Sequence, residues 1–77
     1  MTQYEYTEIW TLNGETKEYS QTIDIYSDKD SYFETTLIDW QGWSRHYADY
    51  TLTVEENRLV LSYGEGNVRH QRILSKK

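Results

Sequence analysis

The feature that most constrains the fold of this chain is a two-residue alternation of apolar side chains, interrupted at short intervals by turn residues. In the first stretch Tyr4, Tyr6 and Trp10 occupy alternate positions, and Asn13 and Gly14 follow. Successive side chains of a strand point to opposite faces of a sheet, so this spacing predicts strands with one apolar face. Asn and Gly tolerate positive φ, so the interruptions predict antiparallel hairpins.

The whole pattern predicts six strands and no helix, because no segment repeats apolar residues at i, i+3, i+4, i+7 for three turns. The strands are expected at residues 3–12, 17–26, 31–40, 43–55, 58–63 and 67–74. The turns between them are expected at NGET, SDKD, Gln41-Gly42, Glu56-Asn57 and GEGN. Residues 1–77 are predicted to form one small domain, with 75–77 as a frayed tail.

Pairing arithmetic tests the register of the predicted hairpins. A two-residue loop at residues 56–57 pairs Leu52 with Leu61 and Val54 with Leu59, so that all four apolar side chains share one face. A slip of one residue would send each strand's apolar side chains to the other face of the sheet. The arithmetic therefore fixes both the register and the buried face of this hairpin.

The other two hairpins agree with that face. A two-residue loop at residues 41–42 places Phe33 opposite Tyr50, and a four-residue NGET loop places Trp10 opposite Tyr19. The resulting apolar face collects Tyr6, Trp10, Leu12, Tyr19, Ile23, Ile25, Phe33, Leu37, Tyr50, Leu52, Val54, Leu59 and Leu61. The last strand fits less well, because His70 and Arg72 point inward between Val68 and Leu74.

A flat sheet cannot bury such a face by itself, and no helix is predicted to cover it. The expected fold class is therefore all-β: a six-stranded antiparallel meander that curls into a small up-and-down barrel. The alternative is a single sheet that stacks on a second copy as a dimeric sandwich.

The amino-acid composition indicates the cellular compartment in which the protein is expected. The 77 residues include no cysteine, so disulfides and cysteine-ligated zinc are impossible, and a reducing, cytoplasmic location is expected. Eight Tyr, three Trp and one Phe supply the bulk that a small core needs. No apolar run reaches the roughly 20 residues of a membrane helix, and the first residues lack the features of a signal peptide, so a soluble protein without membrane contact is expected.

The charge of the chain bears on its partners. The formal net charge is −5, and residues 1–44 carry two lysines against nine carboxylates. An acidic protein repels phosphate backbones, which disfavours nucleic acid as a partner. A mimic of nucleic acid that blocks a DNA- or RNA-binding protein is an alternative that this charge supports weakly.

The WQGW segment at residues 40–43 is the candidate binding site. In the predicted register the face opposite the core is rich in Trp, Tyr and Arg, the types enriched at binding hot spots. The predicted protein-binding residues are Tyr32, Ile38, Trp40, Trp43, Arg45 and Tyr47. A purely structural reading is that Trp40 and Trp43 form a cross-strand pair that stabilises a hairpin. Homodimerisation through this face is a third reading.

No residue set predicts catalysis, a cofactor or a metal site. Ser44 and His46 lie on one face of the predicted strand and Asp49 on the other, so the three are not expected to converge as a triad. The acidic DKDSYFE segment lacks the glycine of a calcium loop. The sequence therefore favours a non-enzymatic acidic β-domain that binds another macromolecule, most simply a protein, as a regulator, adaptor or inhibitor. A small-ligand carrier with a pocket inside a curled sheet is the main alternative.

Overall fold

The protein is a mostly β structure with one helix inserted after its second strand. A computed structural model describes residues 2–26, 29–47 and 49–77, with side chains for all of these except residues 29 and 30. The elements are β1 (Thr2–Leu12), β2 (Glu15–Ile25), α1 (Lys29–His46), β3 (Thr51–Val54), β4 (Arg58–Glu65) and β5 (Val68–Lys76). Within these described ranges no helix is long and apolar enough to cross a membrane.

The five strands form one antiparallel sheet in the order β2-β1-β5-β4-β3. The first and last strands are neighbours near its centre, where β1 pairs with β5 from Tyr4 opposite Lys76 to Leu12 opposite Val68. β2 and β3 lie at the two edges and do not pair with each other, so the sheet is open. α1 follows one edge strand and precedes the other, so it joins the two edges of the sheet.

The helix corrects the six-strand prediction. Strand 31–40 and the first part of strand 43–55 are replaced by α1, and the described residues contain neither six strands nor a closed barrel. Phe33, Leu37 and Trp40 pack against the buried cluster of the sheet. The helix thus supplies the apolar cover that the prediction assigned to curling, and the sheet has no need to close. The turn predicted at 27–30 falls partly outside the described residues.

The β1–β2 hairpin keeps its predicted faces but not its predicted pairs. Trp10 lies opposite Lys17, not Tyr19, because the loop has two residues rather than four. Asn13 and Gly14 both have positive φ, 52° and 85°, as a type I′ turn requires. The change moves the register by two residues, which leaves each side chain on its expected face.

The β3–β4 hairpin has the predicted register. Leu52 lies opposite Leu61 and Val54 opposite Leu59. The predicted continuation to Tyr50 lies just before β3, where the ring of Tyr50 stacks on that of Tyr63 at a centroid distance of 5.1 Å.

The last strand is longer than predicted and belongs to the middle of the sheet. Its predicted inward face is observed: His70 and Leu74 are buried, and Arg72 is half-buried between them. β5 continues through Lys76, whose amide donates to the carbonyl of Asn57, and the amide of Lys77 donates to the carbonyl of Gln3. The expected frayed tail is therefore tied into the sheet, because it lies between two other strands.

The core lies under the helix at one end of the sheet. Its fully or nearly buried apolar residues are Tyr4, Trp40, Leu59, Leu61 and Leu74. At the other end the two hairpin tips lie side by side, joined by a 3.1 Å hydrogen bond from the amide of Asn13 to the carbonyl of Asn67. Among the described residues no helix lies above that end, and the molecule is elongated, 41 × 25 × 16 Å along its principal axes.

Candidate functional site

The six residues predicted to form one binding face are divided by the helix. Trp40 is only 5% exposed, whereas Ile38 is 66% exposed and Arg45 is also exposed. Tyr32 is half-buried, with its ring centroid 4.9 Å from that of Tyr4. Successive residues of a helix turn by about 100°, so neighbours that would alternate across a strand are spread around α1. The expectation that Trp40 is exposed and faces Trp43 across a hairpin is wrong.

The two tryptophans of WQGW share a role inside the protein. They are three residues apart on α1, and the Cζ atom of Arg72 lies 5.4 Å from the ring centroid of each. The same guanidinium lies 5.6 Å from the ring of Tyr6, and its Nε donates a 2.9 Å hydrogen bond to the Tyr6 hydroxyl. Arg72 is thus accommodated under the helix by cation–π contacts with three rings.

Arg72 begins a hydrogen-bonded network that crosses the central strands. The Tyr6 hydroxyl donates to Glu8 Oε1 at 3.1 Å, and Glu8 Oε2 lies 2.6 Å from His70 Nε2. His70 Nδ1 lies 2.7 Å from the hydroxyl of Tyr50. His70 is 3% exposed, and both of its ring nitrogens have partners. A neutral imidazole satisfies both contacts when Nε2 donates to Glu8 and Nδ1 accepts from Tyr50.

The network shifts the protonation equilibria of its members. Burial acts to raise the pKa of Glu8, but hydrogen bonds from His70 and Tyr6 and the charge of Arg72 outweigh it, so the pKa lies below its ordinary value. Burial raises the pKa of Tyr6 and of Tyr50. A tyrosine with a raised pKa stays protonated at neutral pH, so Tyr50 is a hydrogen-bond donor rather than a ready nucleophile. The hydrogen bonds to both of its ring nitrogens hold the imidazole of His70 in one orientation.

The imidazole of His70 in turn holds an exposed tryptophan. The ring of Trp10 stacks on that of His70 with centroids 3.7 Å apart and planes at 15°. Trp10 is nevertheless 48% exposed, and Leu12 and Tyr19 on the same face of the sheet are 57% and 55% exposed. We call Trp10, Leu12 and Tyr19 the open face, since no helix covers them. A hollow of about 260 Å³ lies there, lined by Trp10, Leu12, Glu15 and Lys17.

Sequence reasoning placed the open face in the core and missed its exposure. It did assign all three residues to the correct face of the sheet, but that face is covered at one end only. A signal was present in the cross-strand partners. Leu12 lies opposite Glu15, Trp10 opposite Lys17, and Tyr19 opposite Glu8. Large apolar residues with charged partners are typical of a surface that water reaches.

The described parts of the chain contain no obvious metal-binding site. No group of three or more His, Asp or Glu side chains there is arranged to hold an ion. Glu8 and His70 are two such ligands in contact, but the imidazole uses both nitrogens in the network.

Comparison with known proteins finds no family model, no curated protein and no solved structure that matches this chain.

Proposed function

We propose that this protein is a non-enzymatic, acidic β-rich domain that binds a protein partner through its open face, as a regulator, adaptor or inhibitor. The observation that carries the proposal is Trp10, a half-exposed tryptophan fixed on a buried histidine. The absence of cysteine suits action in a reducing compartment such as the cytoplasm.

The open face has the properties of a binding hot spot. Hot spots are enriched in Trp and Tyr and form where a partner can exclude water from a large side chain. Trp10 loses little conformational freedom on binding, because the His70 stack already fixes its ring. Tyr19 and Leu12 extend the apolar area beside it. An isolated exposed apolar residue is common on proteins, whereas three together indicate an interaction surface.

Charge specifies what kind of partner fits. The side of the sheet that faces α1 continues to the hairpin tips. Near those tips it carries three carboxylates, Glu8, Glu15 and Glu65, and one lysine, Lys17. Complementary potentials speed association and disfavour wrong partners. The partner we propose therefore presents apolar side chains flanked by basic ones. A second copy of this acidic chain fits less well, because the same carboxylates would face each other.

A small-ligand carrier remains a second candidate on one observation. A cavity of about 370 Å³ lies between α1 and the sheet, and Arg72, Asp39 and Trp40 are among its lining residues. Within the described chain the Arg72 side chain makes one hydrogen bond, through Nε to Tyr6, which leaves its terminal nitrogens for a carboxylate or phosphate group. Asp39 on the same wall opposes an anion, so we place this candidate second.

Affinity capture with single-residue variants tests the proposal. We expect immobilised wild-type protein and Ile38→Ala to recover the same partner from the source cell, and Trp10→Ala and Tyr19→Ala to lose it. Ile38 is a matched control, because it is an exposed apolar residue on the outside of α1. Tyr19→Ala leaves the Trp10–His70 stack in place, so its loss of binding cannot be ascribed to the network. Equal recovery by all four proteins, or loss with Ile38→Ala alone, contradicts the proposal.

A further inference from the structure

A second aromatic region lies where the end of α1 meets β4. It is a cleft of about 620 Å³ lined by Trp43, His46, Tyr47, Asp49, Tyr50 and Tyr63. The helix and the segment after it supply all of these except Tyr63, which comes from β4. The cleft adjoins the open face, because Tyr50 reaches His70 from one side while Trp10 stacks on it.

Three rings of the cleft, those of Trp43, Tyr47 and Tyr50, are set at large angles to one another, while Tyr63 stacks on Tyr50. Trp43 lies 5.0 Å from Tyr47 and 5.8 Å from Tyr50 between ring centroids, with planes at 45° and 82°. Tyr47 and Tyr50 are 6.2 Å apart at 61°. The wall of the cleft therefore presents ring faces as well as ring edges to a group that binds against it. Ring faces carry negative charge density and attract cations.

The charges at the cleft favour a cation as well. Asp49 is an exposed carboxylate in its wall. Glu65 accepts a 2.9 Å hydrogen bond from the hydroxyl of Tyr63. That hydrogen bond, partial burial and the charges of Glu65 and Asp49 all raise the pKa of Tyr63.

The protein already contains one guanidinium group packed against aromatic rings. Arg72 holds its guanidinium against Trp40, Trp43 and Tyr6 under the helix, so Trp43 belongs both to this internal cation site and to the wall of the cleft. The positive charge of Arg72 opposes a second cation near Trp43. Asp49 in the cleft wall and Glu65 on the hydroxyl of Tyr63 supply the opposing negative charge.

We propose that this cleft binds an arginine side chain from a basic segment of the protein partner. The inference rests on the proposed function, because the arginine would be one of the basic residues that we expect on a partner complementary to the acidic surface. A planar guanidinium stacks on aromatic rings and binds a carboxylate through two parallel N–H bonds, and it is less strongly hydrated than an ammonium group. Asp49 is the carboxylate, and Trp43, Tyr47 and Tyr63 are the rings.

Titration with two matched small probes tests the site without the partner. N-acetyl-arginine methylamide carries the guanidinium, and N-acetyl-citrulline methylamide is its neutral isostere. We expect the arginine probe to shift the indole N–H resonance of Trp43 with a Kd on the order of millimolar, as single-residue ligands do. The citrulline probe should bind at least about tenfold more weakly, because it has no charge to attract to the rings and to Asp49.

Two carboxylate variants locate the site. Asp49→Asn should weaken the arginine probe about fivefold, in the range of an exposed charge pair, whereas Asp24→Asn should leave it unchanged. Asp24 is a fair control, since it is an exposed carboxylate on edge strand β2. Its substitution by Asn removes the same charge as that of Asp49. Equal binding of arginine and citrulline probes, equal loss in both variants, or no saturable shift overturns the proposal.

The outcome is separable from that of the proposed function. If partner capture is lost with Trp10→Ala but retained with Asp49→Asn, and the arginine probe does not bind, the proposed function stands and the arginine site is wrong. If the probe binds but capture survives Trp10→Ala and Tyr19→Ala, the site stands and the open face is not the partner surface.

Discussion

The two ends of the same sheet face differ in what covers them. Under α1, the face is a packed core in which Tyr4, Leu61 and Leu74 have almost no exposed surface. Toward the hairpin tips, the same strands carry Trp10 and Leu12, which are about half exposed. Alternation along a strand determines which face a side chain occupies, and the position of the helix determines whether that face is core or surface.

The His70 network lies at the boundary between the two ends. On the covered side it includes Arg72, which packs against the rings of Trp40 and Trp43 on the helix. On the open side it fixes Trp10 through the His70 stack. Polar groups at such a boundary can be partly buried because each has a partner, and a satisfied network holds its members in one arrangement. The network thus connects the rigidity of the core to the orientation of an exposed ring.

The largest expected effect is a difference in unfolding free energy between substitutions at the covered end and at the open end of the sheet. Leu61→Ala, in the covered part, should lower the free energy of unfolding by about 2–5 kcal/mol, because it leaves a cavity in a packed core. Leu12→Ala, in the open part, should change it by no more than about 0.5 kcal/mol, as exposed substitutions do. Urea denaturation measures both. Similar losses for the two leucines would mean that the open end is packed in solution.

The second effect concerns the boundary network. Glu8→Gln should cost about 1–2 kcal/mol, because a short hydrogen bond to a carboxylate becomes a neutral one. The pKa of Glu8 is lowered in the folded protein, so its contribution is present above the pKa of the unfolded chain, about 4.3, and is lost as the pH falls toward the lower folded value.

Denaturation between neutral and acidic pH measures that dependence. The difference in unfolding free energy between wild type and Glu8→Gln should shrink as the pH falls below about 4.3. Glu56→Gln is a suitable control, since that carboxylate is exposed in the turn before β4. A difference that grows on acidification contradicts the role of Glu8.

The third effect tests the helix itself. Gly42→Ala should raise the free energy of unfolding by about 0.5–1 kcal/mol, because glycine inside a helix is less favourable than alanine by that amount. A methyl group at this position meets no atom within 4 Å, and Gly42 does not have positive φ. If residues 41–42 formed the hairpin loop that alternation predicts, alanine would instead destabilise the protein. Thermal denaturation distinguishes the two signs.

The WQGW segment shows why the helix could not be read from alternation. Phe33 and Leu37 are four residues apart, which places them on one side in either a strand or a helix. Leu37 and Trp40, or Trp40 and Trp43, are three apart, which places them on opposite faces of a strand but on one side of a helix. That odd spacing was the available signal. Aromatic residues and threonines, which favour strands, outweighed it.

Other parts of the fold followed from local rules. The register of Leu52 with Leu61 was predictable, because a two-residue turn and a shared apolar face leave one solution. The inward positions of His70 and Arg72 were predictable from the parity of their strand. Their partner Glu8 was not, because no turn joins the first strand to the last and the sequence does not state that they are neighbours. The exposure of Trp10 depends on where the helix ends, which is a tertiary property.

The last comparison lies within one strand. Tyr19 and Ile23 lie on the same face of β2, four residues apart, but Ile23 packs against the core cluster and Tyr19 is 55% exposed. Ile23→Ala should cost about 1–2 kcal/mol, less than at a fully buried site, since its side chain is only partly buried. Tyr19→Ala should cost no more than about 0.5 kcal/mol, because among the described residues its hydroxyl bonds to exposed Gln21 alone. Urea denaturation gives both values, and partner binding of the two folded variants should rank them in the opposite order, with Tyr19→Ala the weaker binder. A Tyr19→Ala protein that loses stability as Ile23→Ala does would mean that the aromatic ring packs on the sheet, and the open face would then be an extension of the core rather than a surface for a partner.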